Sequence, residues 1–375
     1  MTACSSSGSS PSPGVDSGSG PVDDASVPEV APAPNPLAEG VDALFAAAEA
    51  SDTFSGTVVV VDDGKTVLEK SYGTMDRSTE RKGAPDSILR VGSISKQFTA
   101  SAVLALAAEG KLALTDPVSK YFPGYPPANL ELDGVAVTLH HLLSHTSGLP
   151  DPRATEGFKK IVWRREIAPT EQIDLIKGSP LVAKPGSTYA YVNFNFLLAA
   201  MVVEKVSGTT YETFLKTRFF QPLGMKDTGT HLPPADATRA AVGYYDDGGQ
   251  LVSFADDPIF KDRDLSLSFG SGQIYSTVLD LARWDRALVG VAALPAATRD
   301  LLFKPNLEDY GYGWVVENKG GVAYQWHNGA LSPLGFTSLM VRVPAKDRFV
   351  AYLANRDLKL IQPLFEAKVI ALALK

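Results

Sequence analysis

Ser93 and Lys96 stand three positions apart in the segment Ser93-Ile94-Ser95-Lys96, a Ser-x-x-Lys spacing that suits an activated nucleophile. Residues three apart on a helix share a face, so the lysine amine can approach the serine hydroxyl. A serine attacks a carbonyl only when a base removes its proton, and a lysine acts as that base only when its pKa falls well below ~10.4. The segment therefore indicates acyl-transfer chemistry. The alternative is an N-cap serine followed by a surface lysine.

A Tyr-x-Asn triplet, Tyr191-Val192-Asn193, precedes a second predicted helix and follows the turn Lys184-Pro185-Gly186-Ser187. In the catalytic interpretation, Tyr191 shuttles protons and Asn193 donates a hydrogen bond to a substrate amide or carbonyl. The alternative is a core tyrosine beside a helix-capping asparagine.

The third motif, His327-Asn328-Gly329, falls between two predicted strands. A glycine there lets a substrate backbone approach the strand edge. The backbone N–H of Ala330, just beyond it, would pair with the N–H of Ser93 to bind the oxyanion that forms during acyl transfer. The helix that begins near Ser93 favours the same negative charge, because its first N–H groups lack partners.

In this order, the three motifs resemble those of the serine β-lactamase and penicillin-binding protein superfamily. Within it, the chain is most similar to the class C β-lactamase-related family, which also holds D-Ala-D-Ala carboxypeptidases, D-aminopeptidases and carboxylesterases. The resemblance covers about residues 41–375, and further segments that look like family landmarks are Leu142–Pro150, Pro185-Gly186, Pro222–Thr228, Gly270–Ala282 and Tyr312-Gly313-Trp314. It implies a β-lactamase/transpeptidase-like fold.

The resemblance also implies roles for the motif residues. Ser93 would be the acylated nucleophile, Lys96 its partner, and Tyr191 the group that passes protons among nucleophile, leaving group and deacylating water. Family members differ in whether the lysine or the tyrosine is the acylation base, and the sequence leaves both open. Asn193 would orient the acyl side of the substrate.

The His327 motif departs from the family's β-lactamases. His327 stands where the class C β-lactamases have a lysine, and Asn328 where they have a threonine, and that pair binds the β-lactam carboxylate. A histidine occurs here in family peptidases and esterases. We therefore expect an esterase or a peptidase acting on D-amino-acid peptides rather than a true β-lactamase. If His327 binds an anionic substrate, recognition should depend on pH.

A metal site is the competing interpretation of His141 and His145, which are four residues apart. The glutamate of a His-Glu-x-x-His motif is missing, since Leu142 follows His141, and no cysteine or third ligand lies nearby in the sequence. We expect structural histidines near the site, and neither a metal nor another cofactor.

The first forty residues differ from the rest of the chain. Serine, proline and glycine make up 21 of them, and they include five acidic residues but no lysine or arginine. Such a segment predicts a disordered tether at residues 1–40, before a hydrolase domain at 41–375. Cys4, after small residues, resembles a bacterial lipidation site, although no basic or apolar signal region precedes it. This predicts a lipid-anchored, periplasmic or secreted protein of the cell envelope. The alternative is a cytoplasmic protein with a chance cysteine.

The composition of the chain limits the classes of molecule that it can bind. The chain has 375 residues and a net charge of −7, which lacks the basic footprint of a nucleic-acid binder. Its single cysteine excludes an intramolecular disulfide framework. The longest apolar run, Phe196–Val203, is far too short to span a membrane. We expect a small-molecule or peptide substrate, with the membrane contacted only through Cys4, and leave the oligomeric state open.

Apolar periodicity and β-branched runs predict strands near both ends of the chain and helices in the middle. The predicted helices are 41–49, 94–109, 195–207, 211–219, 280–288 and 363–374, and the predicted strands are 54–61, 66–72, 312–316, 322–326, 336–343 and 349–354. This order predicts an α/β (α+β) sandwich: an antiparallel sheet built from both termini, flanked by helices, with an all-α region inserted.

The sequence thus predicts a serine hydrolase that forms a covalent acyl-enzyme on ester or amide substrates. A binding lipoprotein that keeps the fold without turnover is the alternative from another class, since a fold alone does not assign function.

Overall fold

The computed structural model describes residues 34–125, 129–159, 167–257, 265–332, 334–358 and 362–375. Residues 1–33 of the predicted tether, with the predicted lipidation site Cys4, lie outside these ranges. Residues 35–375 form one compact unit. None of the helices in the described ranges is long and apolar enough to cross a lipid bilayer.

The helices occupy both ends and the middle of this unit. They are α1 (Pro36–Ala50), α2 (Ser95–Ala108), α3 (Leu139–Leu143), α4 (Glu156–Lys159), α5 (Pro169–Ile176), α6 (Asn193–Ser207), α7 (Tyr211–Leu215), α8 (Val278–Val289), α9 (Ala296–Arg299) and α10 (Gln362–Leu374). A π-helical turn, Lys216–Phe220, continues α7.

The first helix begins earlier than predicted. The side chain of Asn35 caps α1, and Pro36 occupies its first turn, where a missing N–H costs nothing. Residues 36–40, which the composition assigned to the tether, are therefore helical, and Leu37 and Ala38 are buried.

The strands are β1 (Gly56–Asp62), β2 (Lys65–Tyr72), β3 (Thr74–Asp76), β4 (Arg81–Lys82), β5 (Leu89–Arg90), β6 (Glu131–Leu132), β7 (Val135–Ala136), β8 (Tyr244–Asp247), β9 (Gln250–Ser253), β10 (Tyr275–Ser276), β11 (Val315–Lys319), β12 (Val322–Leu331), β13 (Phe336–Val343) and β14 (Arg348–Ala354). Six of them form the main sheet in the order β11-β12-β13-β14-β1-β2, with every neighbouring pair antiparallel. The prediction of an antiparallel sheet assembled from both chain ends is confirmed.

Strand β1 shows how the sheet separates two cores. Val59 and Val61 face a core shared with α2, α6 and α8, whereas Val58 and Val60 face α1 and α10. Successive side chains of a strand point to opposite faces, so this run of valines is buried on both sides. The α2 helix is buried almost all round, as its composition predicted.

The middle of the chain is not wholly helical, which corrects the predicted all-α region. It contains the hairpins β6–β7 and β8–β9, and β10 pairs with β5. In the first hairpin, Asp133 and Gly134 both have positive φ, as a tight two-residue turn requires. The sheet differs at two further points: β11 begins at Val315 rather than at residue 312, and β12 continues to Leu331.

Candidate active site

Ser93 lies in a 3-10 turn, Gly92–Ile94, that leads directly into α2. No side chain caps either this turn or α2, so Ser93 does not serve as the helix cap that was the alternative interpretation. Gly92 has a φ of +53°, in the left-handed region that favours glycine. The turn leaves Ser93 partly exposed at the point where the sheet meets the helical layer.

Lys96 is fully buried in the first turn of α2 rather than on the surface. Its Nζ lies 3.1 Å from Ser93 Oγ and donates a hydrogen bond to the carbonyl oxygen of Ser271 at 2.9 Å. Burial, helped by the positive charge of Arg153, holds the pKa of Lys96 well below its ordinary value. The site therefore favours the neutral amine, which can accept a proton.

The side chain of Tyr191 lies next to that of Ser93, and its ring centre lies 4.7 Å from Lys96 Nζ. Although 36% of the residue's surface is exposed, burial of the phenol raises the pKa of Tyr191 above its ordinary value. The phenol is therefore protonated at neutral pH. The structure brings Ser93, Lys96 and Tyr191 into one contact group.

His145 holds the backbone on both sides of Tyr191. Its carbonyl oxygen accepts a hydrogen bond from the N–H of Ala190 at 2.9 Å, and its Nδ1 accepts one from the N–H of Val192 at 3.3 Å. The His145 ring centre lies 4.4 Å from that of Tyr191. Burial holds the pKa of His145 well below its ordinary value, so the ring is a neutral acceptor. The sequence predicted a structural histidine here but not this contact.

The backbone N–H groups of Ser93 and Ala330 meet where two glycines face each other. A Cβ on Gly92 would stand 2.9 Å from Ala330 N, and a Cβ on Gly329 would stand 3.1 Å from Ser93 N. The Gly329 Cβ would also lie 2.1 Å from the carbonyl oxygen of Val91. The absence of a side chain at Gly329 thus makes room for the Gly92–Ile94 turn, called the nucleophile turn below because it carries the candidate nucleophile Ser93. The sequence had suggested room for a substrate backbone instead.

His327 lies inside β12, not between strands, because β12 continues past it. It is 3% exposed, and burial lowers the pKa of His327 to about 3. Its Nδ1–H donates to the carbonyl oxygen of Asn328, which leaves Nε2 to accept a hydrogen bond from the Tyr310 hydroxyl at 3.0 Å. The histidine is neutral and already partnered, which argues against recognition of an anion by its charge.

Of the two asparagines predicted to bind substrate, only Asn193 is at the site. Its Oδ1 is buried and has no hydrogen-bond partner in the described ranges, and the residue lines the same cavity as Ala330. Asn328 instead donates from Nδ2 to Glu366 of α10 at 3.1 Å. Alternation along β12 places Asn328 on the opposite face from His327, which corrects that prediction.

A cavity of about 160 Å³ adjoins Asn193 and Ala330. Its lining is mixed: polar side chains stand beside an apolar group made of Phe158, Phe194, Leu197, Leu267 and Leu331. Arg153 and Asp151 lie at this cavity as an ion pair in which Nε of the arginine approaches the carboxylate oxygens at 2.8 and 3.1 Å. The sequence did not identify either residue of this pair.

The two histidines of the metal alternative do not share a helix face. Helix α3 ends at Leu143, and His145 lies beyond it with a φ of +57°. His141 Nδ1 accepts a hydrogen bond from the N–H of Thr138. No cluster of three or more histidine, cysteine, aspartate or glutamate residues with metal-binding geometry occurs in the described ranges.

Comparison with known proteins assigns a family to this geometry. The family model described as Beta-lactamase matches residues 41–375. Penicillin-binding protein 4* of Bacillus subtilis is 30% identical over 335 residues, which is 84% of this chain and 71% of that protein. Protein flp of Staphylococcus aureus strain MW2 is 27% identical over 83% of this chain, and the match spans only 61% of that relative.

A solved structure agrees with these relatives. The D-stereospecific amidohydrolase from a Streptomyces species superposes with a TM-score of 0.72 at 25% identity, covering 91% of this chain and 98% of that one. The predicted β-lactamase/transpeptidase-like fold is confirmed.

Proposed function

Because the chain belongs to the Beta-lactamase family, we propose that it is a serine hydrolase that forms a covalent acyl-enzyme on Ser93. The observation that carries this proposal is the 3.1 Å distance between Lys96 Nζ and Ser93 Oγ. Lys96 is fully buried, and its pKa is lowered, so its amine is favoured in the neutral form. A buried lysine that only stabilised the fold would normally pair with a carboxylate, and among the described residues none pairs with Lys96.

In acylation, the neutral amine of Lys96 accepts the Ser93 proton while Oγ attacks the substrate carbonyl. The opposed pKa directions support this division of roles: Lys96 is favoured as a base, and Tyr191 as a protonated donor. Tyr191 then gives its proton to the leaving alcohol or amine and regains one from Lys96. The N–H groups of Ser93 and Ala330 stabilise the charge on the carbonyl oxygen.

In deacylation, water replaces the leaving group and the proton route runs in reverse. Tyr191, which lies next to Ser93, relays a proton from the water towards Lys96. The oxygen of that water attacks the carbonyl carbon of the acyl-enzyme ester. The Ser93–acyl bond breaks, Oγ takes back a proton, and a free carboxylic acid leaves.

We expect ester or amide substrates that present an apolar group beside the scissile carbonyl, including D-amino-acid peptides. The cavity beside Ala330 contains a group of phenylalanine and leucine side chains that can pack against such a group, and the Oδ1 of Asn193, which has no partner among the described residues, faces the acyl side. One structural relative is a D-stereospecific amidohydrolase and another relative a penicillin-binding protein. The neutral His327 in place of a lysine argues against strong β-lactamase activity, which remains the alternative substrate class.

Labelling with a fluorophosphonate or a fluorescent penicillin, followed by intact mass, tests the acyl-enzyme. We expect one adduct on wild type, none on Ser93→Ala, and an unchanged adduct on Ser101→Ala, which alters the same helix away from the site. An adduct that persists in Ser93→Ala would overturn the proposal.

A panel of short-chain p-nitrophenyl esters, acyl-D-Ala-D-Ala peptides and nitrocefin on one purified sample then ranks the substrate classes. Turnover of any of these that vanishes in both Ser93→Ala and Lys96→Ala excludes the alternative of a non-catalytic binding lipoprotein. Its absence across the panel, with no adduct, would favour that alternative.

The expected location is the cell envelope, through the predicted tether and lipidation at Cys4. Metabolic labelling of the full-length protein with an alkyne fatty acid tests the anchor. We expect label on wild type and none on Cys4→Ser, and equal absence of label on both would contradict the anchor while leaving the catalytic proposal untouched.

A further inference from the structure

Arg90 is a largely buried cation outside the catalytic group. It lies at the end of β5, where Arg90 pairs with Tyr275 of β10. Its NH1 group donates hydrogen bonds to the carbonyl oxygens of Gln273 at 2.9 Å and Thr230 at 3.3 Å. Within the part of the chain that the structure describes, Nε and NH2 have no protein acceptor and no carboxylate forms an ion pair with Arg90.

This arrangement is electrostatically incomplete. Burial lowers the pKa of Arg90 to about 10. The guanidinium carbon lies 5.8 Å from the ring centre of Tyr275, which offers a cation–π contact but no negative charge at physiological pH. A buried cation is normally compensated by an anion, because removing its hydration is costly. Arg153 at the active-site cavity differs from Arg90 in this respect, because Asp151 forms an ion pair with it.

Arg90 lines a cavity of about 700 Å³ that can accommodate more than an ion. The apolar part of its lining includes Phe254, Leu265, Phe269, Leu334 and Phe336. Leu265 and Leu334 also line the active-site cavity, so the two spaces adjoin.

The two carboxylates at this cavity are engaged elsewhere. Glu204 accepts a hydrogen bond from the N–H of Tyr211, and Glu212 pairs with His231 at 2.9 Å. Neither Glu204 nor Glu212 lies close enough to Arg90 to shift its pKa. The positive end of Arg90, which no carboxylate of the described residues pairs, and the aromatic wall therefore remain as the complementary features of the space.

We infer that this cavity is a second binding site, for a carboxylate carried on an apolar body, with the carboxylate on Nε and NH2 of Arg90. A guanidinium binds a carboxylate through two parallel hydrogen bonds, and the two unused nitrogen groups of Arg90 offer that geometry. A fatty acid and the free C-terminus of an apolar peptide share this chemistry. The site goes beyond the proposed function and does not depend on it.

Titration calorimetry with decanoate tests the site, and N-acetyl-phenylalanine distinguishes the two sources of ligand. We expect at least one of these probes to bind wild type and Ser93→Ala equally, because the nucleophile is not involved. Arg90→Gln should weaken binding of that probe about tenfold or more, since charge-assisted hydrogen bonds are roughly twice as strong as neutral ones. Decanol, which has no charge, should bind wild type and Arg90→Gln alike.

Arg153→Gln is the matched control, because it removes the cation of the adjoining active-site cavity instead. It should leave the affinity for the bound probe unchanged. The reverse pattern, with Arg153→Gln weakening the probe and Arg90→Gln not, would place the ligand in the active site and overturn the inference. So would the absence of binding of both carboxylates at millimolar concentration.

Arg90→Gln also loses two hydrogen bonds, so its fold is checked by circular dichroism and by labelling of Ser93. Phe254→Asp provides a second route, because it leaves the Arg90 contacts intact and places a carboxylate in the cavity. We expect it to abolish probe binding by repulsion, and retained affinity in a folded Phe254→Asp protein would contradict the site.

Discussion

Gly92 and Gly329 pack backbone against backbone where the nucleophile turn meets β12. A Cβ on Gly92 would stand 3.2 Å from the Gly329 Cα, and a Cβ on Gly329 would meet the Val91 carbonyl oxygen at 2.1 Å. Ser338 of β13 secures the same turn, since its Oγ–H donates to Val91 O at 2.8 Å. The distance between the two oxyanion N–H groups therefore depends on the absence of two side chains.

Gly329→Ala should lose activity by pushing the nucleophile turn away from β12. We expect kcat for ester hydrolysis to fall about 100-fold or more, the usual cost of losing one oxyanion donor. The free energy of unfolding should fall by about 1–3 kcal/mol, as for overpacking in a rigid core. Gly124→Ala is the control, because nothing lies within 4 Å of a Cβ there. Wild-type kcat in Gly329→Ala would show that Ala330 is not an oxyanion donor.

Lys96→Met should abolish acylation, because no other buried amine contacts Ser93 in the described residues. It should also change the pH dependence of stability. The pKa of Lys96 is lowered in the folded state, so the unfolded chain binds more protons between the two pKa values, and wild-type stability rises with pH in that window.

Thermal melts at several pH values measure this effect. The Tm of Lys96→Met relative to wild type should increase as the pH falls from about 10 to about 7, because only wild type has a lysine that is protonated when unfolded and must lose that proton on folding. A Tm difference that is constant with pH would mean that Lys96 keeps an ordinary pKa and cannot be the base.

His145→Phe should slow turnover by mispositioning Tyr191. The variant keeps an aromatic ring but loses the acceptor for the N–H of Val192. Small displacements of a catalytic group cost up to about 100-fold in rate, so we expect a 10- to 100-fold fall in kcat with little change in KM. His145→Asn should recover part of the loss, because asparagine tolerates positive φ and offers an acceptor oxygen.

His141→Phe is the matched control for this prediction, since His141 makes no contact with Tyr191 and caps α3 instead. Equal losses of kcat and stability in both histidine variants would indicate a general structural defect rather than positioning of Tyr191.

His327 should make no contribution to the pH profile between about pH 5 and pH 8. Its pKa of about 3 means that it is protonated only in acid, so kcat/KM for an anionic substrate should not gain from its charge in that range. His327→Gln should change the size of kcat/KM but not the shape of its pH profile. An acidic increase in affinity for the anion that disappears in His327→Gln would contradict the burial of the neutral ring.

Local sequence was enough to predict the approach of Lys96 to Ser93 and most of the sheet. The three-residue spacing of Ser93 and Lys96 sets their separation through one helical turn, and the valines of β1 predict a strand buried on both faces. Local sequence did not predict the full length of β12, because the extent of that strand depends on its pairing with β13. The longer strand determines that His327 faces the site and Asn328 faces α10.

What the sequence by itself determined is the chemistry of short contacts along the chain: the nucleophile and its amine, the motif order, and the glycines that permit tight turns. What only the tertiary structure decided is the environment of those groups. The neutrality of Lys96 and His327, the contact of His145 with the backbone around Tyr191, and the lowered pKa of Arg90 all arise from packing of segments far apart in sequence. Desolvation is a property of the packed body, and no local pattern encodes it.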